Sequence, residues 1–237
     1  MPQTTSQARE RGGDPAASFD RGTPGRSADA EYRRRRALDM ARRKEQFGLF
    51  SWVVTALAGE RQSTHAWSTG ADGERRVGAA LERTLGDVGV VLHDRRMPGG
   101  WGNIDHLVVA PSGVWVVDAK EYRGRVQRRD VGGWFRTDVR LYVGRRDRSK
   151  AIEGVRRQRE SVGRVLLHDF GEHAPPLHVA ICLVGAEWGW FARPMRFDGV
   201  WVAWPRRLGR MLLRPAVLDS GQVELIAATL AGRFPVR

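Results

Sequence analysis

Cysteine is nearly absent, with one residue, Cys182, in a chain of 237. That excludes an intrachain disulfide and cysteine-rich metal sites, and nothing asks for an oxidising compartment. Long apolar runs are missing too. No stretch reaches the roughly 18–20 residues of a spanning helix, and the N-terminus has no secretory hydrophobic region, so a cytoplasmic protein is expected. There is no G-x-x-x-x-G-K-[ST] loop and no G-x-S-x-G elbow, which sets aside P-loop nucleotide hydrolysis and α/β-hydrolase chemistry. The six histidines are scattered, leaving a zinc site short of ligands. Lysine is scarce: Lys44, Lys120 and Lys150 stand among 40 basic residues, the rest arginine. Where arginine carries the bulk charge, a lysine inside an apolar strand reads as a compact, tunable ammonium.

What is present is positive charge, +13 net, with 41% hydrophobic residues, enough for a substantial core. The charge points to a polyanionic partner, nucleic acid or an anionic membrane surface. Residues 1–29 are rich in Gly, Pro, Ser, Thr and Arg and read as a disordered tail. Residues 30–66 join a basic helix to the apolar FGLFSWVVTALAG over Phe47–Gly59. Three readings stand for that pair: an extra packed helix, a peripheral contact of residues 33–58 with the inner membrane face, or a phosphate-binding arm or dimer contact. A core over 67–167 and a C-terminal α/β extension over 168–237 follow.

The stretch NIDHLVVAPSGVWVVDAKEYRG, Asn103–Gly124, reads as a β-hairpin around the turn Ala110-Pro111-Ser112-Gly113. Pairing Ala110 with Gly113 sets Asp105 opposite Asp118 and Asn103 opposite Lys120. Strict alternation gives Asn103, Asp105, Leu107, Val116, Asp118 and Lys120 one face, and Ile104, His106, Trp115 and Val117 the other. Two carboxylates roughly 5 Å apart need a bridging cation, a proton or access to water.

A helix is expected over Ser68–Leu85, with Ser68, Thr69 and Asp72 as caps and Val77, Leu81 and Leu85 as its apolar stripe. Glu74 lies on that stripe, either facing the sheet or complementing the helix dipole from the first turn. Strands are expected at Val88–His93, 125–127, 133–136, Val139–Val143, Leu177–Val184 and Val200–Trp204, with Tyr122-Arg123-Gly124 turning the chain. A helix over Lys150–Leu167 puts Gln158 among Ile152, Val155, Val162 and Val165, either bonded to core backbone or aimed at the acids. Pro205 and Asp219 or Ser220 open two final helices. Trp188, Trp190 and Phe191 sit in a loop that either packs on its own domain or stacks on bases.

Three carboxylates, Glu74, Asp105 and Asp118, with the Ala119 carbonyl, form a hard oxygen set suited to Mg²⁺ or Mn²⁺. Lys120 beside them could orient or help deprotonate an attacking water, or offset charge on a phosphodiester in its transition state.

The segments GADGERRVGAALERTL and NIDHLVVAPSGVWVVDAKEYRGRV, with Gln158, resemble the nuclease-related domain, NERD, of the PD-(D/E)xK superfamily over about Trp67–Leu167. The stretch from Leu177 to Pro235 also resembles C-terminal extensions of actinobacterial members. The resemblance implies a restriction-endonuclease-like core, an α/β fold with a central mixed β-sheet flanked by helices. It implies Asp105, Asp118 and Glu74 as metal ligands, Lys120 as the catalytic lysine, and Gln158 and Asn103 as supporting residues. The activity expected is metal-dependent phosphodiester hydrolysis of nucleic acid, DNA ahead of RNA. The alternative is a nucleic-acid-binding or membrane-surface module that keeps the fold and does not cut. Ile104 stands where the superfamily name has Pro, and Val162 stands where some helicase-associated relatives carry Tyr.

Overall fold

The computed structural model describes residues 19–31, 33–34, 37, 62–99 and 102–237, with 62–69 given by backbone alone. The expectations for residues 1–18 and for the basic and apolar stretch over 38–61 lie outside the described residues. The elements in order are α1 (Gln62–Leu85), β1 (Val90–Arg96), β2 (Asn103–Ala110), β3 (Gly113–Asp130), β4 (Val139–Val143), β5 (Arg146–Asp147), α2 (Ser149–Phe170), β6 (Leu177–Glu187), β7 (Met195–Phe197), β8 (Val200–Ala203), α3 (Pro205–Leu212) and α4 (Ser220–Arg233). The strands form one mixed sheet in the order β1-β2-β3-β6-β8-β7, with β4 and β5 branching from β3. β1, β2 and β3 run antiparallel, whereas β6 and β8 follow β3 in parallel. The fold class is the expected α/β arrangement, a central mixed sheet flanked by helices.

Sequence pattern explains how the layers form. Val77, Leu81 and Leu85 of α1 are fully buried against Val108, Trp115 and Val117, and α3 joins that cluster through Leu208 and Leu212. α2 and α4 cover the other face, packing Val155, Val162, Ile226 and Leu230 against Leu107, Val116 and Ile181. Each such side chain withdrawn from water contributes about 1.5–3 kcal/mol. α4 starts where the capping residues predict: Asp219 accepts from the Gln222 backbone at 2.8 Å, and the Gln222 side chain accepts from the Asp219 backbone at 3.0 Å. Cys182 is buried in β6 beside Ala119, and burial pushes its thiol up, away from any nucleophilic role.

Several expectations are corrected. α1 begins at Gln62, so Ser68, Thr69 and Asp72 are helix-interior residues, and Asp72 pairs with Arg75 one turn on. Tyr122–Gly124 does not turn the chain. β3 runs on for 18 residues, with a register shift against β6 between Glu121 and Gly124. Gly124 sits at φ 108°, and a Cβ there would lie 3.0 Å from the Gly144 backbone, so the strand bends where only glycine fits. Residues 133–136 form a turn instead of a strand, and β7 is an element the sequence reading did not anticipate.

The expected tail is packed from residue 19 onward. His93 donates its backbone N–H to the Arg21 carbonyl at 2.7 Å, and residues 26–31 are helical with Ser27 and Ala28 buried. Arg95, fully buried in β1, donates to the carbonyls of Asp20 and Phe234 and so ties both flanking segments to the sheet edge. Among the described residues, no helix is long and apolar enough to cross a membrane.

Candidate active site

The hairpin register is as the turn chemistry predicts: Ala110 pairs with Gly113, and the pairing continues to His106 and Val117. There β2 and β3 part. Asn103 pairs with Arg96 of β1, and Asp118 and Lys120 pair with Ile181 and Leu183 of β6, so neither the expected Asp105–Asp118 pairing nor the expected Asn103–Lys120 pairing forms. At the fork the Asp105 carboxylate accepts the Ala119 N–H at 3.0 Å, satisfying a backbone donor that the departing strand no longer serves. A polar side chain at that spot is therefore required by the ladder as well as by any chemistry.

Alternation also breaks here. Ile104 shares the core cluster of Leu107, not the face of Trp115 and Val117. Beside it on β1, Asp94 has φ 49°, and the ladder passes from the pair His93–His106 to Arg95–Ile104 with Asp94 and Asp105 unpaired. A non-glycine residue held there needs compensation. Asp94 has it in three hydrogen bonds, from the Ser27 backbone at 2.8 Å, the Ser27 hydroxyl at 2.7 Å and Asn103 Nδ2 at 2.9 Å.

Lys120 Nζ lies 2.7 Å from Asp118 Oδ2 and 3.8 Å from Asp105 Oδ2, and it donates to the Ala119 carbonyl at 3.2 Å. In this arrangement the cation that offsets the two aspartates is an ammonium. Burial alone would pull the ammonium down, but Asp118 and Asp105 more than reverse this and raise it. Lys120 therefore stays charged across the neutral range. Asp105 is pushed up to about 7, first by burial, with Lys120 opposing. Glu74, half-buried on α1, is pushed up to about 8 by burial and then by Asp105. Because α1 begins at Gln62, Glu74 lies in the helix interior and not in a first turn, so the reading in which it complements the helix dipole does not hold.

Asn103 and Gln158 frame the start of β2. Gln158, buried on α2, donates from Nε2 to the Asn103 carbonyl at 3.1 Å, while Asn103 Nδ2 reaches Asp94 and the Ser27 hydroxyl. Both act on strand position; neither is in hydrogen-bond contact with Lys120. His106, as expected, is on the α1 side, where its Nδ1 meets His93 Nδ1 at 2.9 Å and His93 Nε2 meets Glu82 at 2.9 Å.

The donor set of Glu74, Asp105, Asp118 and the Ala119 carbonyl has the hard-oxygen chemistry of a Mg²⁺ or Mn²⁺ site. Among the described residues, however, no three His, Cys, Asp or Glu side chains are arranged to hold a metal ion. Sequence reasoning missed Asp94 and Ser27. The signal for Asp94 was an acid inside the strand VVLHDRR; Ser27 gave none, lying in a stretch of tail-like composition.

The raised Glu74 has a measurable consequence. Its folded-state value of about 8 lies above the ordinary 4.5, so the folded protein binds this proton more tightly than the unfolded chain does. The corresponding stability is fully present below pH 4.5 and is lost as pH rises through 8. Glu74→Gln is expected to raise the melting temperature of metal-free protein at pH 9 by on the order of 5 °C, with little change at pH 4. Thermal unfolding in chelator at both pH values checks this, and an equal shift at both would contradict it.

Residues 69–184 match the family model of the nuclease-related domain, NERD, which carries the expected match beyond residue 167 and through most of β6. The PD-(D/E)xK superfamily assignment is consistent with that match and with the mixed sheet. Comparison with curated proteins and with solved structures gives no significant match.

Proposed function

We propose that this nuclease-related domain hydrolyses phosphodiester bonds of nucleic acid, DNA ahead of RNA, with Mg²⁺ or Mn²⁺ as cofactor. The observation that carries the reading is Lys120, held charged within 2.7 Å of Asp118 and 3.8 Å of Asp105, beside Glu74. An ammonium at this distance from both carboxylates is placed to offset charge on a phosphodiester or to orient a water beside the metal. Lys120 would face a phosphoryl oxygen as negative charge builds in the transition state. Mg²⁺ takes only one or two carboxylates and keeps several waters, so Asp105 and Asp118, gathered at Lys120, would hold the metal ion with Glu74 as a third acid on the helix side; when bound, the ion would supply a nucleophilic water and Lewis acidity. Asp105 has a second task, fixing the Ala119 peptide and so the direction of Lys120. The net charge of +13 supplies the long-range attraction for a phosphate backbone.

The test is a panel of labelled single- and double-stranded DNA and RNA, incubated with Mn²⁺, with Mg²⁺ and with chelator. Cleavage that requires metal and disappears in Asp118→Asn is expected. Salt-sensitive binding with no cleavage in any metal would instead favour a module that binds without cutting.

A further inference from the structure

Two loops end in adjacent aromatic side chains that nothing in the described fold covers. In the turn between β3 and β4, Trp134 and Phe135 are 100% and 102% exposed; between β6 and β7, Trp190 and Phe191 are 101% and 97% exposed. Single exposed apolar residues are ordinary, but two such pairs at loop tips mark a contact surface. Their neighbour shows that the second loop can bury a ring, since Trp188 packs on Trp204 with centroids 4.7 Å apart.

Both tips grow from the strands that build the site. β3 carries Asp118 and Lys120, and β6 runs parallel beside it as far as Arg125 and Glu187. There the two chains part, β3 into the ribbon with β4 and β6 into its loop. The tips therefore lie beyond the same strand ends, downstream of Lys120. Exposed arginines stand along the way: Arg125 and Arg129 on one face of β3 and Arg128 on the other, Arg129 lying over the Tyr142 ring, with Arg123 nearer the site, Arg136 after one tip and Arg193 after the other. A row of guanidinium groups leading from an aromatic tip back to the site strand suits a phosphate chain crossing the site, whereas a membrane anchor needs charge only around the inserted ring.

We infer that the Trp134–Phe135 and Trp190–Phe191 tips stack on unpaired bases of a strand whose phosphates follow these arginines toward Lys120. This deepens the phosphodiesterase reading and rests on it, naming single-stranded or locally opened nucleic acid as the substrate class. Bases inside a duplex have both faces covered by their neighbours, so such stacking selects for open strands.

Fluorescence anisotropy of the full chain in chelator, with labelled oligothymidylate and with a blunt DNA duplex, tests the inference without cleavage. Trp134→Ala/Phe135→Ala and Trp190→Ala/Phe191→Ala are each expected to weaken oligothymidylate binding by about tenfold or more while changing duplex binding less than about twofold. Among the described residues the rings pack on nothing, so unchanged melting temperatures are expected. Unchanged oligothymidylate affinity in both variants, or an equal loss on both nucleic acids, overturns the inference. So does a selective loss of sedimentation with phosphatidylglycerol vesicles, which would assign the tips to a membrane. Strand-selective loss in a protein that cleaves nothing with Mn²⁺ would sustain the tips and overturn the phosphodiesterase reading alone.

Discussion

Lys120→Met is expected to lower metal-dependent cleavage by about a hundred- to a thousandfold, the usual cost of removing one group that stabilises transition-state charge. The ammonium is the only cation within 4 Å of both aspartates among the described residues, so no neighbour substitutes for it. Nucleic-acid affinity in chelator should hardly move, because one charge among a net +13 contributes little to backbone attraction. Lys120→Arg keeps the charge but spreads it over a planar fork, and is expected to recover only part of the rate. Truncation also leaves Asp105 and Asp118 facing each other without a counter-charge. The variant should therefore lose stability as pH rises and Asp105 ionises, while folding normally near pH 5. Circular dichroism and melting at both pH values separate that loss from the catalytic one.

Asp105→Ala and Asp105→Asn are expected to part in a way that shows the two tasks of this side chain. Both remove a charged oxygen and should abolish cleavage. Asparagine can still accept the Ala119 N–H through its amide oxygen, so its fold should hold close to wild-type stability in metal-free buffer. Alanine leaves that buried donor orphaned at the fork of β2 and β3, a loss of about 1–3 kcal/mol. Denaturant unfolding of the two variants reads the difference directly. Equal stability would mean that the fork is held by the surrounding sheet rather than by the carboxylate.

The hairpin and its register were legible because local chemistry sets them: the Pro-Ser-Gly turn fixes the pairing as far as His106 and Val117, one step short of Asp105 and Asp118, where the strands fork. Glu74 was legible as a position on a helical stripe, though its direction needed the packing of α1 on the sheet. What escaped reading depends on backbone conformations and distant segments. Asp94 sits at φ 49°, and nothing in VVLHDRR announces a left-handed residue. Residues 19–29 read as tail because of their Gly, Pro, Ser, Thr and Arg content, yet a Cβ at Gly22 would collide with the His93 carbonyl. There glycine marks close approach of two chains. Gln158 and Asn103 were legible as polar residues near the site; Gln158 takes the backbone-bonding alternative, on the Asn103 carbonyl, and Asn103 bonds Asp94 instead of pairing with Lys120.

The most direct measurement is a time course of end-labelled single-stranded DNA with Mn²⁺, comparing wild type with Lys120→Met at pH 6, both shown to be folded. Cleavage by wild type, none in chelator, and a rate at least about a hundredfold lower in the variant are predicted. Equal rates in the two proteins would contradict the assignment of Lys120 and with it the site.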